Sequence, residues 1–218
     1  MASPQPKFVT VQQYREAEEL ATEKHEYHNG RIYAMSGGSL NHSLITLNIA
    51  REIGNRLMGT KCRTYSSDLR IYIEASGLST YPDLSVVCGK AISSSGSENE
   101  ITNPTVLVEV LSPSTMKYDL TSKFEFYKGI ESLQDVIFIW QDRPQVELRC
   151  RQLDGDWIST MTIDLTGNVE IPSLALSISM NEIYYEVEFI SDTESLDVRE
   201  SRTEYNSQHP FSPVHSAV

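Results

Sequence analysis

Apolar positions recur at helical spacing twice within the first sixty residues. Between 10 and 24, Tyr14, Ala17, Leu20 and Ala21 share one face, Glu16, Glu18, Glu19 and Glu23 surround them, and Thr10 is placed to cap. That pattern predicts an amphipathic surface helix. From about 41 to 58, Ile45, Ile49, Ile53 and Leu57 lie four apart with Gly59 behind them. A second helix, packed on a sheet, is predicted there. The segment 25–35 between them reads as two short strands around Asn29-Gly30, a pair that favours a tight hairpin turn, and Glu26 falls on the first strand.

Downstream the period shortens to two. Residues 64–73 alternate as one half-buried strand and 84–88 as another, whereas 91–103, rich in Ser, Gly, Asn and Glu, predicts an exposed, mobile loop. Residues 106–111 are apolar except for Glu109, the pattern of a strand covered on both faces in the middle of a sheet. Pro113 ends that strand, and Ser114 or Thr115 can cap a helix running to about Lys128, with Leu120, Phe124 and Tyr127 as its stripe and Lys123 beside them. Strand-like runs follow at 135–140, 146–152, 157–163 and 170–179, predicting a meander, with a short helix at 181–189. Beyond 190 the periodicity is lost. The expectation is a mixed α/β (α+β) domain over residues 1–190, with a central mixed sheet flanked by helices, and a disordered tail at 191–218.

Composition narrows the setting. Hydrophobic residues make up 39% of the chain, and no apolar run reaches the roughly 18 residues that span a bilayer, so no membrane association is expected. The first residues lack the apolar centre of a signal peptide, which places the expected site of action in the cytoplasm. Cys62, Cys88 and Cys150, odd in number and far apart, read as buried free thiols. A net charge of −12 opposes general affinity for nucleic acid. Residues 51–70 nevertheless carry Arg51, Arg56, Lys61, Arg63 and Arg70 against Glu52 and Asp68, a strip of net charge +3 that either faces a phosphate backbone or is an ordinary solvated face.

Three residues carry the candidate chemistry. Hydrolysis of a phosphodiester needs charge neutralisation at the phosphate and a water deprotonated near neutral pH, both of which a divalent cation supplies. Magnesium binds oxygen and uses one or two protein carboxylates, a requirement that Asp83, behind Pro82 at a strand start, and Glu109, on the neighbouring strand, are placed to meet. Asp83 alone also reads as a turn acid. Glu109 is more demanding, because a carboxylate inside an apolar strand costs several kcal/mol unless a cation or proton accompanies it. Lys123 can reach the same place if its helix folds back over the strand ends, or it can simply pair with Asp119 one turn away. Glu26 is a further candidate acid, His42 a candidate phosphate or proton-transfer group, and Asp68 either a neighbour of the site or a partner of Arg63 or Arg70.

These residues also carry a resemblance. Glu26-Tyr27 with Asn29-Gly30, Met35-Ser36-Gly37 followed by His42, Pro82-Asp83, the run Val108-Glu109-Val110-Leu111-Ser112-Pro113-Ser114-Thr115, and Asp119, Lys123, Tyr127 and Gly129 occur in the order found in the Uma2 family. That family of restriction-endonuclease-like proteins, widespread in cyanobacteria, belongs to the PD-(D/E)xK nuclease superfamily. The resemblance implies a restriction-endonuclease-like core in which Asp83, Glu109 and the main-chain carbonyl of Val110 hold Mg²⁺, or Mn²⁺, while Lys123 supplies the catalytic cation. It further implies DNA as substrate and a homodimer. The superfamily's lysine usually stands two residues after the glutamate, where this chain has Leu111, so Lys123 would act as a migrated lysine.

The function expected is therefore metal-dependent endonucleolytic cleavage of DNA. The alternative is a catalytically inactive nuclease-fold module that binds DNA or a partner protein. Acyl-transfer and redox chemistry find no support, since neither a nucleophile elbow nor a reactive cysteine pair is present.

Overall fold

The N-terminal hairpin follows directly from its turn residues. Asn29 and Gly30 both adopt positive φ, +50° and +80°, the geometry that joins two right-twisted strands with two residues, and His28 pairs with Arg31 across the turn. Strands β1 (His25–His28) and β2 (Arg31–Ala34) begin a five-stranded sheet in the order β2-β1-β5-β4-β7, with β4 at Arg70–Ile73, β5 at Leu78–Thr80 and β7 at Glu100–Ile101. Helix α1 (Val11–Glu18) leads into it, capped by Thr10 in a reciprocal capping box with Gln13. The computed structural model describes residues 8–35 and 37–189, and those up to Val187 belong to one unit. The tail expected at 191–218 lies outside the described residues.

The second sheet positions the site. It has six strands in the order β11-β10-β9-β8-β6-β3, namely Trp157–Ile163, Gln145–Arg151, Asp135–Trp140, Val106–Leu111, Leu84–Cys88 and Cys62–Ser66. Only β8 and β9 run parallel in it, as expected for strands joined through a helical crossover. Strand β8 is interior and buried along its whole length, as its apolar run predicts. Side chains alternate across it. Leu107 and Leu111 join a core with Phe124, Tyr127, Val136, Phe138 and Trp140, so Glu109, between them, faces the crossover helix. Helix α2 (Leu40–Arg56) lies against β8 and β3 and buries Ile45, Ile49 and Ile53. The mixed α+β class expected is the class observed.

Several local expectations are corrected. The single strand expected at 64–73 is two: the chain turns at 67–69 and passes from the six-stranded sheet into the five-stranded one, where β4 begins. Strand β5 had no separate signal. The run 170–179 is a hairpin of β12 (Asn168–Ile171) and β13 (Leu176–Ser179), and the last helix, α5, covers only Met180–Ile183. Helix α1 is likewise shorter than the pattern suggests. The loop 91–103 is not free: Arg15 donates to the Ser95 carbonyl at 2.7 Å and to Ser94, Arg70 donates to Ser97 at 3.1 Å, and both guanidinium groups meet buried Glu100. Cys62 and Cys88 are not thiols but a disulfide, because the register of β3 on β6 sets them opposite each other. Cys150 remains free.

Candidate active site

The crossover from β8 to β9 is where local sequence and site meet. Its helical segment runs from 116 to 127 as α3 (Met116–Tyr118), a π-helical turn (Asp119–Lys123) and α4 (Phe124–Tyr127). The wider turn is a departure from the uniform helix expected, of a kind that recurs at functional sites. It buries Asp119 and Lys123 against the sheet, where two ionisable side chains are costly unless they meet partners. Lys123 Nζ lies 2.9 Å from Glu109 Oε1, 3.3 Å from Glu26 Oε1 and 3.6 Å from Asp119 Oδ1. Lysine and glutamate are each only about 5% exposed, so this is a buried charge cluster and not a surface pair.

Each acid is held from a second side. Tyr127 donates its hydroxyl to Glu109 Oε1, and Thr80 donates to Glu26 Oε1. Asp83 sits at the start of β6 opposite the end of β8, and its Oδ2 accepts from the Val110 main-chain N–H at 2.7 Å. His42 Nε2 stands 3.3 Å from the same oxygen and also hydrogen-bonds the Val110 main chain. Since the Val110 N–H is already taken by Asp83, the carbonyl is the acceptor. One imidazole thus touches two of the three oxygens expected to hold the cation.

Titration behaviour follows from this crowding. Burial pushes the Glu109 carboxyl up to about 8; Lys123 opposes the shift, while Asp119 and Asp83 add to it. Burial also raises Asp119, again against the pull of Lys123. For Lys123 burial acts downward, but Glu109 and the neighbouring Tyr127, Glu26 and Asp119 outweigh it and keep the ammonium protonated. The hydrogen bond to Asp83 holds His42 above its usual range despite burial.

The acids, Lys123 and His42 line one cavity of about 190 Å³. It brings together Asp83, Glu109, Lys123, Val110, Glu26 and His42, and it adds Asp119, which the sequence marks by its place one turn before Lys123 and by the family resemblance. Tyr127, expected to be packing, also bonds the central carboxylate. Asp68 is not there. Its carboxylate is 82% exposed in the turn between β3 and β4 and pairs with Lys24 at 2.7 Å, not with Arg63 or Arg70. Most of the basic strip is paired internally: Arg51 and Arg56 bond Glu52, Arg56 also bonds Glu182, and Arg70 is buried on Glu100, while Arg63 donates to the Thr60 and Cys62 carbonyls and, like Lys61, is exposed. Among the described residues, no three His, Cys, Asp or Glu side chains are grouped to cage a metal. No helix among them is long and apolar enough to cross a membrane.

Comparison with known proteins gives the family and the fold. Residues 11–181 match the family model Uma2, described as "Putative restriction endonuclease". Two proteins of Synechocystis sp. (strain ATCC 27184 / PCC 6803 / Kazusa) are similar. "Uncharacterized protein slr1290" is 38% identical over 183 residues, covering 84% of this chain and 94% of its own, and "Uncharacterized protein sll1609" is 34% identical over 168 residues, covering 75% and 93%. The fold is shared with the crystal structure of "a putative nuclease belonging to DUF820" from Anabaena variabilis ATCC 29413, at a TM-score of 0.64 and 21% identity over 81% of this chain and 97% of that one. With its motifs, its matched span and its relatives in accord, the chain belongs to the Uma2 family.

Proposed function

We propose that this protein is a metal-dependent endodeoxyribonuclease, with Asp83, Glu109 and Lys123 as its catalytic residues. The observation that carries the reading is the convergence of these three side chains, from a strand start, a central strand and a crossover helix, on one recessed cavity. Four carboxylates line that cavity, Glu26, Asp83, Glu109 and Asp119, against the lysine and one histidine. Such an excess of buried negative charge fits a divalent cation, and an all-oxygen donor set with few protein ligands fits magnesium, with manganese as a substitute. Asp83, Glu109 and the Val110 carbonyl would hold the ion. When bound, it neutralises charge at the scissile phosphate and acidifies a coordinated water.

The chain's own groups divide the remaining work. Lys123 Nζ carries a permanent positive charge into the cavity and donates to an oxygen of the phosphate as charge builds there. Glu26 and Asp119 keep that ammonium protonated and in place. Tyr127 fixes Glu109 Oε1, and His42 holds a proton between Asp83 Oδ2 and the Val110 carbonyl, orienting both oxygens. DNA is the substrate, and a second copy in a homodimer would address the second strand.

Purified protein should nick or cut plasmid DNA with Mg²⁺ or Mn²⁺ and stop with EDTA. Asp83→Ala and Glu109→Ala should each lose at least about a hundredfold in rate, a loss of the order seen when a transition-state-stabilising group is removed. Undiminished cutting by either variant refutes the assignment. The alternative, an inactive fold retained for binding DNA or a protein, draws on Leu111 in the usual lysine position. Calorimetric Mg²⁺ binding that is lost in Glu109→Ala counts against it.

A further inference from the structure

The cavity recesses its chemistry. Glu109 and Lys123 are about 5% exposed, and the enclosed volume of about 190 Å³ is below the roughly 300 Å³ at which pockets begin to swallow a whole small ligand. A sugar-phosphate segment can enter, while its bases must stay at the mouth. Cations are scarce in the cavity's lining: among the described residues, Lys123 is the one lysine or arginine that lines it, and it is buried. Duplex binding draws chiefly on rows of lysine and arginine that release counterions from phosphates. The lining of the cavity supplies no such row, so part of the binding energy has to come from another source.

Two tyrosines at the mouth provide it. Tyr33 lines the cavity and is 48% exposed, and Tyr118 lines it and is 37% exposed. Neither position is accidental. Tyr33 pairs directly with Glu26 across the β1–β2 hairpin, which puts both side chains on the same face of that sheet. Tyr118 immediately precedes Asp119 on the helix that delivers Lys123, and it lies close enough to feel the charges of Glu26 and Lys123. The two rings therefore reach the cavity that holds Lys123 from two elements, one on the end strand of the five-stranded sheet and one on the crossover. Flat aromatic faces beside a phosphate-sized recess are the features with which proteins hold unpaired bases.

We infer that the substrate presented to this site is single-stranded DNA, or the unpaired part of a branched structure, with flanking bases stacked on Tyr33 and Tyr118. The inference rests on the nuclease reading of the same cavity. A flexible strand can bend its phosphate into the recess, which a stiff duplex does only by deforming.

The test is binding of the intact protein to fluorescein-labelled 20-mers, single-stranded or duplex, by anisotropy with Ca²⁺ replacing Mg²⁺, followed by cleavage of the same oligonucleotides with Mg²⁺. The single strand should bind at least tenfold tighter and be cut faster. Tyr33→Ala and Tyr118→Ala should each weaken its binding about five- to a hundredfold, the range for loss of one base-stacking contact, while Tyr33→Phe and Tyr118→Phe stay within about twofold because the ring is kept. Both positions are exposed enough for the variants to fold. Equal or tighter duplex binding, no binding of the single strand, or alanine variants that bind like the parent each overturns the inference. If Mg²⁺-dependent cutting depends on Asp83 and Glu109 but duplex is preferred, only this inference falls. If binding follows the tyrosines but cutting ignores the two acids, only the catalytic reading falls.

Discussion

Replacing Glu109 with glutamine isolates the cost of its charge. The carboxyl is shifted by burial from an ordinary 4.5 to about 8, so between those values the folded protein holds a proton that the unfolded chain has released. Stability contributed by that proton is fully present below about pH 4.5 and is lost as pH rises through 8. At about 1.4 kcal/mol per pH unit the loss is at most about 5 kcal/mol. The pull of Lys123, 2.9 Å away, is already contained in that value, and the part of the shift above pH 5 amounts to about 4 kcal/mol. Glutamine keeps an oxygen for the Tyr127 hydroxyl and cannot titrate.

The assay is urea unfolding, read by the fluorescence of Trp140 and Trp157, at pH 5, 7 and 9 in EDTA. Asp119 and His42 are also raised, and their contributions run in the same direction; both proteins carry them, so only the change in their coupling to Glu109 enters the difference. Relative to the parent, Glu109→Gln should gain up to about 4 kcal/mol between pH 5 and pH 9. A difference that stays constant across this range refutes the claim that Glu109 is a destabilised buried acid. Added Mg²⁺ at pH 8 should stabilise the parent and leave the variant nearly unmoved, since only the parent offers the second carboxylate.

Three further outcomes follow from the same geometry. Lys123→Met leaves Glu26, Glu109 and Asp119 without their shared cation, so it should lose cleavage and about 3 kcal/mol of stability at pH 8, whereas Lys123→Arg should recover most of the stability in urea unfolding but little of the cleavage. Gly38→Ala would set a methyl 2.8 Å from His42 Nδ1 and displace the ring; cleavage should drop about tenfold, the order of loss when a group that orients metal ligands is disturbed, with the unfolding midpoint little changed. Cys62→Ser removes a cross-link spanning 26 residues and should cost about 2 to 4 kcal/mol under oxidising conditions and nothing under reduction, with a non-reducing peptide map of the parent showing the Cys62–Cys88 pair.

What the sequence disclosed divides along a physical line. Elements whose signal is local were legible: the Asn29-Gly30 turn, the isoleucine stripe of α2, and the apolar run of β8 with one acid inside it. Features that depend on which strands become neighbours were not. Cys62 and Cys88 are 26 positions apart and become opposed only through the β3–β6 register. The serine-rich loop 91–103 carries the composition of a mobile segment, yet two arginines from α1 and β4 reach into it. Asp68 and Arg70, two apart on what reads as one alternating strand, end in different surroundings because the chain changes sheets between them. No periodicity in the sequence encodes that change.

The displaced lysine follows the same reasoning one step further. Leu111, two residues after Glu109, points to the same face of β8, and that face is closed by Phe124, Phe138 and Trp140 of the main core. An ammonium at 111 would be buried among these apolar groups with no acid of its own. The face that accepts Leu111 is also the face that the 116–127 helix covers, so the helix is the nearest element from which a cation can approach Glu109. The π-helical turn sets Lys123 and Asp119 inward together, which brings the cation and a carboxylate to the site as a pair. The strand position and the helix position are thus alternative solutions to one constraint, a single positive charge beside a buried glutamate, and the packing of Leu111 selects the second.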